Sequence, residues 1–204
     1  MTRLITEADL DEMGFLSDNA AENIEEARIC EAWATDRENF ELDEDVTAQF
    51  LLTLASEKYQ KAGELDEAWR VAQAAVAAGD GPPLGAHSQL LDLAFERDDR
   101  ASALHYLDEV RRARTDDLHG LQSIAETLEL RDEVDLAQRW FIIGMRAASW
   151  VGSDAYYEVF LLGRYRVRRL HAIPLDGLDV DAEHLRIDRG LAPLADGESP
   201  PLSF

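Results

Sequence analysis

The sequence predicts an all-α fold, an α-solenoid of about three helix–turn–helix units with a helical cap at each end. Three observations carry that expectation. Small residues recur at helical spacing on one face of three successive segments. The segments repeat at intervals of 35 and 34 residues, marked by Ala68, Ala103 and Ala137. Each unit breaks at a short turn signal: Gly63, then Asp98-Asp99, then Asp132. A chain of 204 residues with 46% hydrophobic content can bury a core without covalent staples. Its single cysteine, Cys30, excludes an internal disulfide and a Cys-based zinc site.

Residues 1–46 read as an acidic N-terminal helical cap. "TEADLDEMGF" opens on a capping-box pattern, Thr6 with Asp9, and "SDNAAENIEEARICEAWATD" reads as a longer helix. That helix has Ile24, Ala27 and Cys30 (or Ala34) on one face and carboxylates on the other. Residues 47–150 hold the three repeats. In the first, "ELDEA" starts a second helix after Gly63, and Ala68, Ala72 and Ala75 share a face. Ala103, Leu107 and Val110 take the same spacing in the second unit, and Ala137, Phe141 and Gly144 in the third. Small side chains let the helices of a unit approach, while Leu90, Leu121, Ile124 and Phe141 fill the gaps between units. Each pair has an apolar face that it cannot bury alone, so neighbours must stack. Residues 151–174 read as a C-terminal capping helix, with Ser153 or Asp154 as N-cap and Pro174 as its stop. Residues 175–204 carry Gly177, Gly190, Pro193, Gly197, Pro200 and Pro201. They read as an acidic tail, loop or partly disordered, with one helical turn at "DAEHLRI".

The period and the helix–turn–helix pattern resemble the tetratricopeptide repeat (TPR). In the first unit Ala55, Tyr59, Gly63, Ala68, Ala72 and Ala75 stand where that family has small, aromatic, turn and small residues, with Pro82 near its closing proline. The later units replace the glycine by Asp98 and Asp132, and the aromatic by Ala94 and Leu128. The resemblance covers about residues 47–150 and implies a right-handed solenoid with a concave groove lined by the first helix of each unit. "RWFIIGM", followed by "FLLGRYRVRRL" and "IPLDGLD", resembles the closing segment of actinobacterial TPR proteins related to those with a cysteine-rich SEC-C zinc motif. Here that motif is absent, so no metal and no cofactor is implied. The positions that match the groove are Phe50, Thr53, Glu57 and Gln60; then Ser88, Asp92 and Phe95; then His119, Gln122, Glu126 and Glu129. This lining is polar and acidic with two aromatics, and it lacks the basic clamp that grips a C-terminal carboxylate. It suits a basic or amphipathic segment of another protein, unless the chain's own tail or end helix fills it.

Charge agrees with that partner. The formal net charge is −22. Residues 1–47 hold fifteen acids against three arginines and residues 48–154 nineteen against eleven basic residues, while residues 155–173 hold Glu158 against four arginines. Such a surface repels free nucleic acid, whose affinity comes chiefly from neutralised phosphates. The start has no uninterrupted apolar stretch of a signal peptide, and no run of about 18 apolar residues could span a membrane. The expectation is a soluble, cytoplasmic adaptor or chaperone-like scaffold, with homodimerisation left open.

No enzymatic signature is present. His87, His105, His119, His171 and His184 form no metal-binding pair, and there is no G-x-G-x-x-G, Walker loop or G-x-S-x-G. "DGLDVDAEH", residues 176–184, invites a calcium reading but lacks the loop glycine and the closing glutamate, so it reads as a solvated acidic loop. Trp33, Trp69, Trp140, Trp150, Tyr156 and Tyr157 read as core and packing residues. Cys30, among glutamates, has its thiol pKa raised rather than lowered.

One stretch runs against the overall charge: "GRYRVRRLH" places Arg164, Arg166, Arg168 and Arg169 within six residues. On a helical wheel Arg164 and Arg168 form one ridge and Arg166 and Arg169 another, about 150° away, on either side of an apolar stripe of Tyr156, Val159, Phe160, Gly163, Val167 and Leu170. At least one ridge is expected to dock on acids of the third repeat: Glu126, Glu129, Asp132, Glu133 or Asp135. The competing reading is a regulatory protein that contacts nucleic acid or an acidic partner through this basic helix.

Overall fold

The computed structural model describes residues 2–13, 16–82, 84–195 and 197–200. Gly14 and Phe15, expected in the N-terminal cap, and Pro201, expected in the tail loop, lie outside them. The regular secondary structure of the described residues is almost entirely helical, and the chain divides into two compact units, residues 1–113 and 114–204. The division falls between the segments expected as the second and third repeats.

The first unit opens with β1 (Arg3–Ile5), α1 (Glu7–Met13), α2 (Ala20–Thr35) and β2 (Phe40–Leu42). The two strands pair in parallel, Arg3 opposite Phe40 and Ile5 opposite Leu42, and Ile5 is fully buried. Three-residue strands leave no periodicity to read, and this ribbon was not expected. At α1 the capping box forms from the Asp9 side, whose carboxylate accepts from the Thr6 amide at 2.9 Å. The acidic helix α2 buries Ala27, Cys30, Trp33 and Ala34 against α3 (Ala48–Lys61). Next come α4 (Leu65–Ala78), α5 (His87–Glu96) and α6 (Arg100–Ala113). Asp80, in the loop after α4, returns to cap α3 by accepting from the Ala48 and Gln49 amides at 2.9 Å each. Burial works to raise the Asp80 carboxyl, but those amides outweigh it and hold the pKa below its ordinary value.

The second unit contains α7 (Leu118–Leu130), α8 (Val134–Val151), α9 (Asp154–Leu170) and α10 (Gly177–Asp188). Here α7 packs on α8, α8 on α9, and α10 on α9.

The same turn recurs at the predicted period. Gly63, Asp98 and Asp132 all take left-handed backbone, at φ +83°, +57° and +60°. Glu64, Asp99 and Glu133 each donate their amides five residues back, to the carbonyls of Tyr59, Ala94 and Leu128. This is the Schellman closure of a helix, and aspartate tolerates the conformation better than most side chains. Ala68, Ala103 and Ala137 then sit fully buried one turn into the following helix. The glycine-to-aspartate replacements change the residue and keep the turn.

The last segment corrects the sequence. Residues 177–188 form the twelve-residue helix α10, not a loop with a single turn. Asp176 is its N-cap, and Asp176 and Asp179 complete a capping box. The supposed solvated acidic loop is therefore a helix start, and Asp179 is buried. Trp33 and Trp140 lie in the core as expected, and Trp69 packs at a tilt on Tyr106. Trp150 does not: it is 90% exposed.

Candidate functional site

In the first unit, α3 and α5 bring two of the three predicted groove rows together. Gln60 on α3 donates its amide to Asp92 at 2.7 Å and to Glu96 at 2.5 Å on α5. Its carbonyl accepts from Gln89 at 2.8 Å, and Gln89 also donates to Ser56. Ser56 in turn donates to the Ala68 carbonyl at 2.8 Å, which ties the network to the marker alanine of α4. Thr53 donates within its own helix to Gln49, while Phe50, near the start of α3, is half exposed. Ser88 and Phe95 are half-buried.

Glu57 lies on this face, mostly buried. Among the described residues it accepts no hydrogen bond and forms no ion pair. Burial raises its pKa above the ordinary value; Lys58 opposes this, and the Asp92 carboxylate adds to it. Lys58 is itself committed elsewhere. It is fully buried and its Nζ donates to Glu26 of α2 at 2.6 Å. Among the described residues the face thus holds a carboxylate with no direct ion-pair partner.

The third row sits on α7 of the second unit. His119 is exposed, and Gln122 donates to Glu126 at 2.9 Å. Glu129 departs from the expectation. Its side chain is 3% exposed and accepts two hydrogen bonds from Arg166, from Nε at 2.7 Å and from a terminal nitrogen at 2.6 Å. A carboxylate gripped this way is a structural partner and not a groove residue.

The arginine ridges are both occupied within the second unit. Arg164, 5% exposed at its side chain, donates to Asp179 at 2.8 Å and also pairs with Asp176. Arg168 donates to the other oxygen of Asp179 at 2.8 Å, to Gln138 at 2.9 Å and to the Pro174 carbonyl. Arg169 lies over the Tyr165 ring and donates to the carbonyls of Glu198 and Ala195. Glu129 was among the acids expected to receive a ridge; Asp176 and Asp179 were not, because their stretch reads as loop. The Arg164 guanidinium, against burial, holds the Asp176 carboxyl below its ordinary pKa.

A second latch holds the chain after α10. Glu183 accepts from the Leu194 amide at 2.9 Å, from Arg186 at 2.8 Å and from the Tyr165 hydroxyl at 2.9 Å. Burial works to raise Glu183, yet these donors leave it below its ordinary pKa. Burial and the Glu183 charge push the Tyr165 phenol up to about 12.

Sequence reasoning missed Gln89, Glu96 and Lys58. Glu96 had a signal, since Ser88, Asp92 and Glu96 follow at intervals of four on one helix ridge. Lys58 had none, because its partner is 32 residues away. Cys30 is buried, and burial pushes its thiol up to about 12, with Lys58 opposing and Glu26 assisting. Among the described residues no three His, Cys, Asp or Glu side chains converge as metal ligands, and no helix is long and apolar enough to cross a membrane.

Fold and site together define an all-helical protein of packed neighbouring helices with one acidic helix face and an internally paired basic helix. Compared with protein-family models, with curated proteins and with solved structures, the chain matches none.

Proposed function

We propose that the protein is a non-enzymatic interaction module of TPR-like helix pairs, an adaptor or chaperone-like binder. It takes a basic or amphipathic segment of a partner protein on the acidic face formed by α3 and α5. One observation carries the reading: among the described residues the mostly buried Glu57 carboxylate forms no ion pair, since Lys58 is committed to Glu26. Leaving a charge partly desolvated costs stability, and a lysine or arginine from a partner would offset that cost. Phe50, half exposed on the same helix and about two turns before Glu57, offers an apolar contact. The recurring turn at Gly63, Asp98 and Asp132 supports the repeat reading.

The competing reading, nucleic acid or an acidic partner on the arginine helix, loses its main support. Arg164, Arg166, Arg168 and Arg169 all have partners within the chain.

The test is a fluorescence-anisotropy titration with a labelled Lys/Leu amphipathic peptide and its Glu/Leu counterpart. The lysine peptide should bind more tightly, weaken with salt, and lose about tenfold or more in affinity on Glu57→Lys with Asp92→Lys. Equal binding to the double variant would remove this face from the account.

A further inference from the structure

A second surface, on α8 of the second unit, has the opposite charge. Ile142, Met145, Arg146, Ser149, Tyr157 and Leu178 line an open groove of about 360 Å³, within the scale of small binding pockets. Its floor is apolar, from α8, α9 and α10, and Arg146 stands on its wall. One turn further along α8 is Trp150, 90% exposed. Helical geometry places Arg139, Ile143, Arg146 and Trp150 on one stripe, at offsets of four, seven and eleven residues from Arg139.

Both arginines are exposed, and among the described residues neither makes a hydrogen bond or an ion pair. The contrast with α9 matters, because there the described contacts occupy every arginine of the cluster. Asp135, one turn before Arg139, is exposed and forms no ion pair with it. On a chain of net charge −22, two unpaired guanidiniums beside an apolar groove and a solvent-facing indole form a cationic, apolar patch.

We infer that this face of α8 binds an acidic segment of another protein, which seats a large apolar side chain in the groove and offers carboxylates to Arg139 and Arg146. Seven helical residues separate the two arginines by about 10 Å along the axis. A partner helix with acids at i and i+7 around a central leucine or phenylalanine matches that separation. The guanidinium fork takes each carboxylate, and Trp150 covers the apolar residue from the side. Charge complementarity selects this occupant: a basic segment would face two uncompensated arginines. The inference does not depend on the α3–α5 face.

The probe is a labelled twelve-residue peptide with Glu at positions 2 and 9 around central Leu and Phe residues, compared with its Gln and Lys versions. Binding is followed by anisotropy on the full chain, and the Trp150 indole N–H by ¹⁵N NMR. The Glu peptide should bind and shift the Trp150 indole resonance. Its affinity should fall about tenfold with Arg139→Ala and Arg146→Ala together, and about as much in the Gln peptide. Because both arginines are exposed and unpaired, the double variant should keep the wild-type circular dichroism and Tm. No binding by the Glu peptide, equal binding of the Gln or Lys peptide, or an unmoved indole resonance would overturn the inference. So would a dimer, seen by sedimentation, that Trp150→Ala disperses, since a second copy would then own the patch.

Discussion

Arg166 and Glu129 illustrate why a residue's charge does not predict its role. Both look like surface ligands in the sequence, one on a basic helix and one in an acidic row. In the fold they hold each other, with side chains 6% and 3% exposed. Such a pair adds little net stability over a well-packed apolar pair, but removing one member leaves a charge stranded. Arg166→Ala should therefore cost about 3–5 kcal/mol, and Arg166→Met with Glu129→Leu should recover most of the loss. Chemical denaturation checks both variants. A single variant as stable as wild type would mean the pair is not a clasp. The wheel made the two ridges legible and named Glu129 among the acids. It could not name Asp179, because a stretch rich in aspartate next to Pro174 and Gly177 reads as loop until its capping box is seen.

At the scale of elements, the contact between α8 and α9 depends on two glycines used reciprocally. A Cβ on Gly144 would collide with the Phe160 ring, and a Cβ on Gly163 with the Phe141 ring. Each helix thus presents a glycine notch to the other's phenylalanine, and Phe141 and Phe160 are both fully buried. Sequence periodicity placed all four residues on apolar faces, since spacing encodes which face is buried. Their cross-helix pairing depends on tertiary register, which spacing does not encode. Gly163→Ala should destabilise by about 1–3 kcal/mol through overpacking, although alanine has the better helix propensity. A raised Tm for that variant would contradict the notch. The turns between elements were more legible, because a left-handed residue at a fixed period survives the change from glycine to aspartate. The ribbon of β1 and β2 was not legible at all, being three residues on each side.

For the whole molecule, the helical class and the spacing of the left-handed turns were readable because they rest on spacing summed over about a hundred residues. The division after Ala113 was not, since no proline or glycine run marks it. Stability against pH should show two opposed windows. Asp176 and Glu183 have folded pKa values below their ordinary 3.8 and 4.5, so their stabilisation holds above those values and is lost as pH falls through the lowered ones. Glu57 acts in the other direction. Its folded pKa lies above its ordinary 4.5, so its cost is fully present above the raised value and vanishes as pH falls toward 4.5. The proposed role of the acidic face rests on that cost being retained for a partner's cation. The most direct measurement is the Tm and the Lys/Leu peptide affinity of Glu57→Gln beside wild type at pH 7. The account predicts a variant that melts higher, with the difference shrinking toward pH 4.5, and that binds the peptide more weakly. A variant that melts lower, or binds as tightly as wild type, would contradict it.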